Sequence, residues 1–244
     1  MAQATAHHDE HEPTTTGLNH RKMLMWAFLG SDCMFFGSLI ATYLVYKNRS
    51  IAGPLPVDVF DIPVTTVSTF VLLMSSMSMV LAYAALRRNS MKAFRIWLAS
   101  TCMLGATFIA FQVYEFYTFV NYEHKVYCAE VVDISELSPV KQQLAMKCGT
   151  EAEHNGVVEE VVGLTPKTNL FGSTFYTLTG FHGAHVTLGI VWLLSLFFLS
   201  FKKGMVTPER DLDLDLAALY WHFVDVVWIV IFTVVYLFGV FPGF

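Results

Sequence analysis

The chain has 244 residues, of which 55% are hydrophobic and 14% charged, with a formal net charge of -5 and a mean hydropathy of +0.50. A soluble domain of this size needs far more charge to cover its surface, and no basic stripe suited to nucleic acid is present. The charges are gathered in short patches between long apolar runs, as a bilayer demands.

Residues 1–21 read as a polar tail. His7, His8 and His11 stand among Asp9, Glu10 and Glu12. A secretory signal would instead have a basic segment leading into a short apolar stretch. The tail histidines read as solvated, with metal binding as the lesser alternative.

Five apolar stretches follow, at 22–46, 63–86, 93–120, 170–201 and 217–241. Each exceeds the roughly 20 residues that a spanning helix requires. Helices satisfy their own backbone hydrogen bonds in lipid, and the alternation of a barrel strand is missing. The expected fold is therefore an all-α, polytopic membrane bundle of five transmembrane helices. Helices 1–3 fall within 22–120 and helices 4–5 within 170–244.

Loop charge sets the expected orientation. Arg21, Lys22, Arg87, Arg88, Lys92, Arg95, Lys202, Lys203 and Arg210 fall on one side, and Lys47, Arg49, Lys125, Lys141, Lys147 and Lys167 on the other. The first group marks the cytoplasmic side, which puts the N-terminus inside and the C-terminus outside. Residues 121–169 then form an acidic extracytoplasmic loop or cap, with Cys128 and Cys148 placed for a disulfide in an oxidising compartment. Cys33 and Cys102 lie in apolar runs and read as packing residues. Gly37 and Ala41, Ser78 and Ala82, and Gly180 and Ala184 are i, i+4 pairs of the kind that let helices approach in lipid. The methionines from Met74 to Met79 read as adaptable packing.

Asp32, Glu115 and Asp225 lie well inside spans one, three and five, where each costs a few kcal/mol unless paired, protonated or hydrated. Gln112 and Glu115, His182 and His185, and His222 and Asp225 are i, i+3 pairs, each on one helix face. A carboxylate one turn from an imidazole can fix its tautomer. Three readings fit: an interhelical hydrogen-bond network, a proton relay through Asp32, Glu115, His222 and Asp225, and a haem or metal site on His182, His185 and His222. Neighbouring histidines at i, i+3 cannot both be axial ligands of one haem. A stand-alone proton-coupled transporter is a further class, although the broken helices of such a site are missing.

FGSTFYTLTGFHGAHVTLG at 171–189 and ALYWHFVDVVW at 218–228 closely resemble subunit III of the haem–copper oxidases. FLGSDCMFFG at 28–37 and GATFIAFQVYEF at 105–116 resemble the same family more weakly. Together the resemblance covers all five spans, most of the chain outside the tail and the long loop. It implies an accessory subunit of a proton-translocating terminal oxidase, packed against the catalytic subunit I that holds haem and copper. No redox centre, catalytic residue or metal ligand is then expected in this chain, but bound phospholipid is. Members of this family support proton uptake and protect the catalytic subunit during turnover. By position, Asp32 stands where the family usually has a reactive glutamate, and Glu115, His182, His185, His222 and Asp225 occupy its recurrent polar positions. The resemblance thus assigns Asp32, Gln112, Glu115, His182, His185, His222 and Asp225 to lipid or partner contact and a buried polar network. Many members have seven spans, and this chain starts at what looks like their third. The long acidic loop suggests an extra partner outside. Accessory subunits of a quinol oxidase or a nitric-oxide reductase are the related alternatives, and the electron donor is not encoded in these strings.

Overall fold

The computed structural model describes residues 19–47, 60–121, 163–167, 170–202, 205–207 and 211–240, and all regular structure among them is helical. Five helices are long and apolar enough to span a membrane. They are α1 (His20–Tyr46), α2 (Ile62–Arg87), α3 (Met91–Val120), α4 (Leu170–Leu199) and α5 (Leu212–Ile231). α5 continues through a π-helical segment, Phe232–Leu237, into a last turn, Phe238–Val240. Residues 122–162, with Cys128 and Cys148, lie outside the described residues, and the expected disulfide and cap fall there with them.

Local chemistry accounts for the helix ends. Asn19 caps α1 by accepting the Arg21 N–H at 3.0 Å. Pro63 occupies the first turn of α2, where a missing N–H costs nothing. Between α2 and α3 the chain reverses in a few residues. Asn89 adopts a positive φ of 57°, its N–H bonds Leu86 O at 2.8 Å, and the Ser90 N–H bonds Ala85 O at 3.0 Å. Those two bonds form a Schellman motif, with asparagine in the left-handed position more often held by glycine. Beyond α3, Leu164 is fully buried and its N–H bonds Phe119 O at 2.8 Å.

α4 and α5 pack together at the centre, α2 and α3 form an antiparallel pair on one side, and α1 lies against α4 and α5 on the other. Trp221 of α5 is the point where the helices meet. Its indole lies where a Cβ on Gly105 of α3 would come within 2.7 Å, and one on Gly189 of α4 within 3.0 Å. Its Nε1 donates to Ser75 of α2 at 3.1 Å. Two glycines and a serine thus admit one tryptophan, which ties α5 to three other helices. About two turns of helix onward, Trp228 donates to Thr69 at 3.0 Å. Ser78 and Thr101 share a hydrogen bond of 2.8 Å between α2 and α3.

α1 is attached differently. Leu29, Phe36 and Tyr43, spaced by seven, are its buried residues, a narrow seam of the kind used in coiled coils. The rest of its surface faces outward, including Trp26 and Met34, which are 59% and 79% exposed. Polar fastenings supplement the seam at both ends. Arg21 pairs with Asp213 at 2.6 Å and Lys22 with Asp215 at 2.7 Å. At the opposite end the Tyr43 hydroxyl donates to Val235 O at 3.3 Å and Lys47 Nζ donates to Phe238 O at 2.7 Å. Both carbonyls lie in or just after the π segment, whose widened turn redirects backbone groups out of the regular α ladder. Burial lowers the Lys47 ammonium pKa.

The three small-residue pairs separate. Ser78 and Ala82 are buried in the bundle, whereas Gly37 and Gly180 have nothing within 4 Å of a Cβ position, and Ala41 and Ala184 are exposed. Small residues signal that a helix can be approached closely, and the approaching helix need not belong to the same chain.

Candidate functional site

The polar residues inside the spans are divided among four separate contacts. In the first, Asp32 of α1 faces His185 of α4, with Oδ2 and Nε2 3.2 Å apart. Side-chain exposures of 13% and 21% place the pair at the edge of the helix seam. His185 Nδ1 lies 2.7 Å from Phe181 O. A carbonyl only accepts, so Nδ1 carries a proton. Nε2 is the nitrogen that faces the carboxyl of Asp32. Asp32 Oδ2 has no aligned hydrogen bond, which makes the contact electrostatic rather than directional. The Tyr220 hydroxyl donates to His185 O at 3.0 Å, tying α5 to the same turn.

His182, one turn before His185, goes elsewhere. It is fully buried, stacks on Trp228 at 4.9 Å and meets Phe108 edge-on at 6.0 Å. Neither ring nitrogen has a hydrogen-bond partner. The i, i+3 spacing suggested a shared face, but the turn of α4 sends His182 into the aromatic core and His185 into the α1 seam. His222 is on a third helix and engages Ser76. Among the described residues, no group of three or more His, Cys, Asp or Glu could hold a metal ion.

Gln112 and Glu115 also part company. Gln112 clamps α3 to α4: its Nε2 donates to Thr179 O at 2.8 Å, and its amide occupies the space that a Cβ on Gly183 would need. Glu115, 5% exposed, accepts a short hydrogen bond from the Thr65 hydroxyl of α2 and one of 3.3 Å from the Tyr236 hydroxyl in the π segment. In the fourth contact, His222 Nδ1 lies 3.3 Å from Ser76 Oγ. Asp225, 6% exposed, lies beside it with Oδ1 unpartnered. The imidazole therefore takes its partner from α2 instead of from the aspartate one turn away.

Among the described residues, no hydrogen bond links the Asp32–His185 pair, Glu115 and the His222–Asp225 pair to one another. Such separation does not suit a continuous relay, and it matches polar groups that each join two or three helices. The partners Thr65, Thr69, Ser75 and Ser76 were not singled out in the sequence. Their signal was the two groups of hydroxyls along α2, at 65–69 and 75–78, the second of them set among methionines.

The comparisons with known proteins bear on the same polar turns. The family model for cytochrome c oxidase subunit III matches residues 159–240, the stretch that carries His182, His185, His222 and Asp225. Cytochrome c oxidase subunit 3 of Bacillus sp. (strain PS3) is 34% identical over 94% of this chain and 91% of its own length. The chain belongs to the oxidase subunit III family. Among subunit III relatives, quinol oxidase subunit 3 of Bacillus subtilis (strain 168) is 35% identical over 88% of this chain and 85% of its own. Cytochrome bo(3) ubiquinol oxidase subunit 3 of Pseudomonas aeruginosa is 32% identical over 88% and 83%. This subunit III is a multi-pass membrane protein and an accessory component of an oxidase complex with other subunits.

Proposed function

We propose that this subunit III packs on the haem- and copper-bearing catalytic subunit of a proton-translocating oxidase, holds no redox centre itself, and sustains proton uptake during turnover. The observation that carries this reading is the Asp32–His185 pair, a carboxyl and an imidazole 3.2 Å apart at mid-membrane, where an ionisable group is costly unless paired. Gln112, Glu115 and His222 each hydrogen-bond to another helix, a scaffold's use of polar side chains. Relatives named for cytochrome c and for quinol oxidases are nearly equally similar, at 34% and 35%. That balance suits a subunit that does not meet the electron donor, whose site lies on other subunits. The orientation has the N-terminus in the cytoplasm and the C-terminus outside. Phospholipid lies against the exposed apolar faces, and the acidic segment between α3 and α4 meets an additional partner.

Gentle purification through a tag on this chain, followed by a haem spectrum and mass spectrometry of the co-purifying subunits, tests the reading. A catalytic haem–copper subunit with no haem retained by the isolated chain is the expected result. A lone monodisperse chain, or stoichiometric haem on it, overturns the proposal. In the assembled oxidase, Asp32→Ala lowers the number of turnovers before inactivation while leaving assembly intact.

A further inference from the structure

α5 is held on three sides by α4, α2 and α1, and its fourth side is bare. Val226, Ile229 and Val230 there are 57%, 40% and 42% exposed. Acyl chains cover such residues well, but the edge of this face does not suit lipid. His222, half-buried, lies one turn from Val226 with Nδ1 on the Ser76 hydroxyl. Asp225 beside it is buried with Oδ1 unpartnered. These two residues fall near the middle of a 26-residue span, roughly 15–20 Å along a helix rising about 1.5 Å per residue. Headgroups and bulk water do not reach that depth. An imidazole and a carboxyl at mid-bilayer are stable when protein covers them and supplies hydrogen bonds.

α1 borders the same face with a second feature. Gly30, Cys33, Gly37 and Ala41 form one exposed stripe of small side chains, and Gly30 and Gly37 have open space where a Cβ would stand. The direction of the stripe follows from its neighbours. Phe35, just before the buried Phe36, rests on Phe181 of α4 with ring centroids 5.2 Å apart. Gly37, just after Phe36, is turned the opposite way by the 3.6-residue period, toward the bare side of α5. Small residues beside a polar anchor are the means by which helices associate in lipid, where the hydrophobic effect gives no net drive.

We infer that the bare face of α5 from His222 to Val230, together with the small-residue stripe of α1, receives a transmembrane helix of another subunit, and that a polar side chain on that helix hydrogen-bonds His222. The inference rests on this chain being a subunit of a larger oxidase. An acyl chain offers the imidazole neither donor nor acceptor, and a soluble partner cannot reach the depth.

The test uses the intact complex. Benzoylphenylalanine incorporated at position Val226 is photoactivated in membranes, with the same residue at Met103 on the outer face of α3 as the comparison. A protein adduct to a transmembrane peptide of another subunit at Val226, with lipid adducts at Met103, is the expected result. Lipid adducts alone at Val226, or adducts to a second copy of this chain, overturn the inference. In parallel, His222→Leu weakens retention of the complex about ten-fold, equivalent to ~1.4 kcal/mol, while His222→Gln restores it. Equal retention by both variants also overturns it. If the chain purifies without any partner, the subunit reading itself has failed. If it purifies with an oxidase but Val226 labels lipid only, the failure belongs to this inference alone.

Discussion

Replacing Gly105 by alanine tests the central packing of the bundle. The added Cβ would stand 2.7 Å from Trp221 Cη2, 3.0 Å from Cζ2 and 3.2 Å from Ile190 Cγ1. Carbon atoms prefer about 3.5–4.0 Å, so the indole must retreat by close to an ångström. It has little freedom to do so, because Gly189 of α4 already touches its other edge and Ser75 holds its Nε1. Overpacking of this kind costs ~1–3 kcal/mol, and loss of the Ser75 bond adds ~0.5–1.5 kcal/mol. A destabilisation of roughly 1.5–4.5 kcal/mol follows from the sum of these ranges. Unfolding of the purified chain in mixed micelles by increasing sodium dodecyl sulfate measures it. Gly180→Ala is the internal comparison, since nothing lies within 4 Å of its Cβ position, and it is expected to be neutral. Trp221→Phe in the Gly105→Ala background relieves the overlap and recovers part of the loss. Equal stability of Gly105→Ala and Gly180→Ala would refute the packing described.

Three further outcomes are expected. Asp32→Ala and His185→Ala are non-additive, with a coupling of roughly 0.5–3 kcal/mol in the same micelle assay, because each leaves the other's charge or hydrogen-bonding capacity unmatched; additive effects would dissolve the pair. Tyr236→Phe removes one of the two hydroxyls on Glu115 and costs ~1–3 kcal/mol, a cost that disappears when Glu115→Leu is already present. Burial holds the Lys47 pKa below its usual value of 10.5, so the unfolded chain binds more protons just under that pH and stability rises with pH there. This alkaline rise is absent in Lys47→Met, which a pH series of unfolding curves would reveal.

The spans were legible because each is an uninterrupted apolar run, and lipid admits no other regular structure for such a run. Which face of each helix turns inward was not. In α1, Met34 is 79% exposed and Phe36 2%, yet both are large and apolar, because lipid and protein interior ask for the same side chains. The polar residues were easy to find and hard to assign. His182 and His185 share a face by spacing, but the 60° between them is enough to direct one into the core and the other onto α1. Gln112 and Glu115 diverge in the same way, to Thr179 and to Thr65 with Tyr236. The π segment carries no residue that announces it. It was invisible in FTVVYL, although it directs Tyr236 to Glu115 and presents Val235 O to Tyr43.

The fastenings of α1 also set an order of assembly. Its partners Asp213, Asp215, Val235 and Phe238 lie 191 to 193 residues further along the chain, whereas α2 meets α3 through Ser78 and Thr101, only 23 apart. During synthesis the α2–α3 hairpin can close as soon as both helices are in the bilayer, but α1, inserted before them, must wait for α4 to supply its seam and for α5 to supply its polar fastenings. Contacts so distant in sequence form late. Until α4 is inserted, Asp32 lies in lipid without His185. A nascent subunit is therefore most exposed to membrane quality control before its last two helices are in place, and truncations just short of α5 would leave α1 without the fastenings at either end.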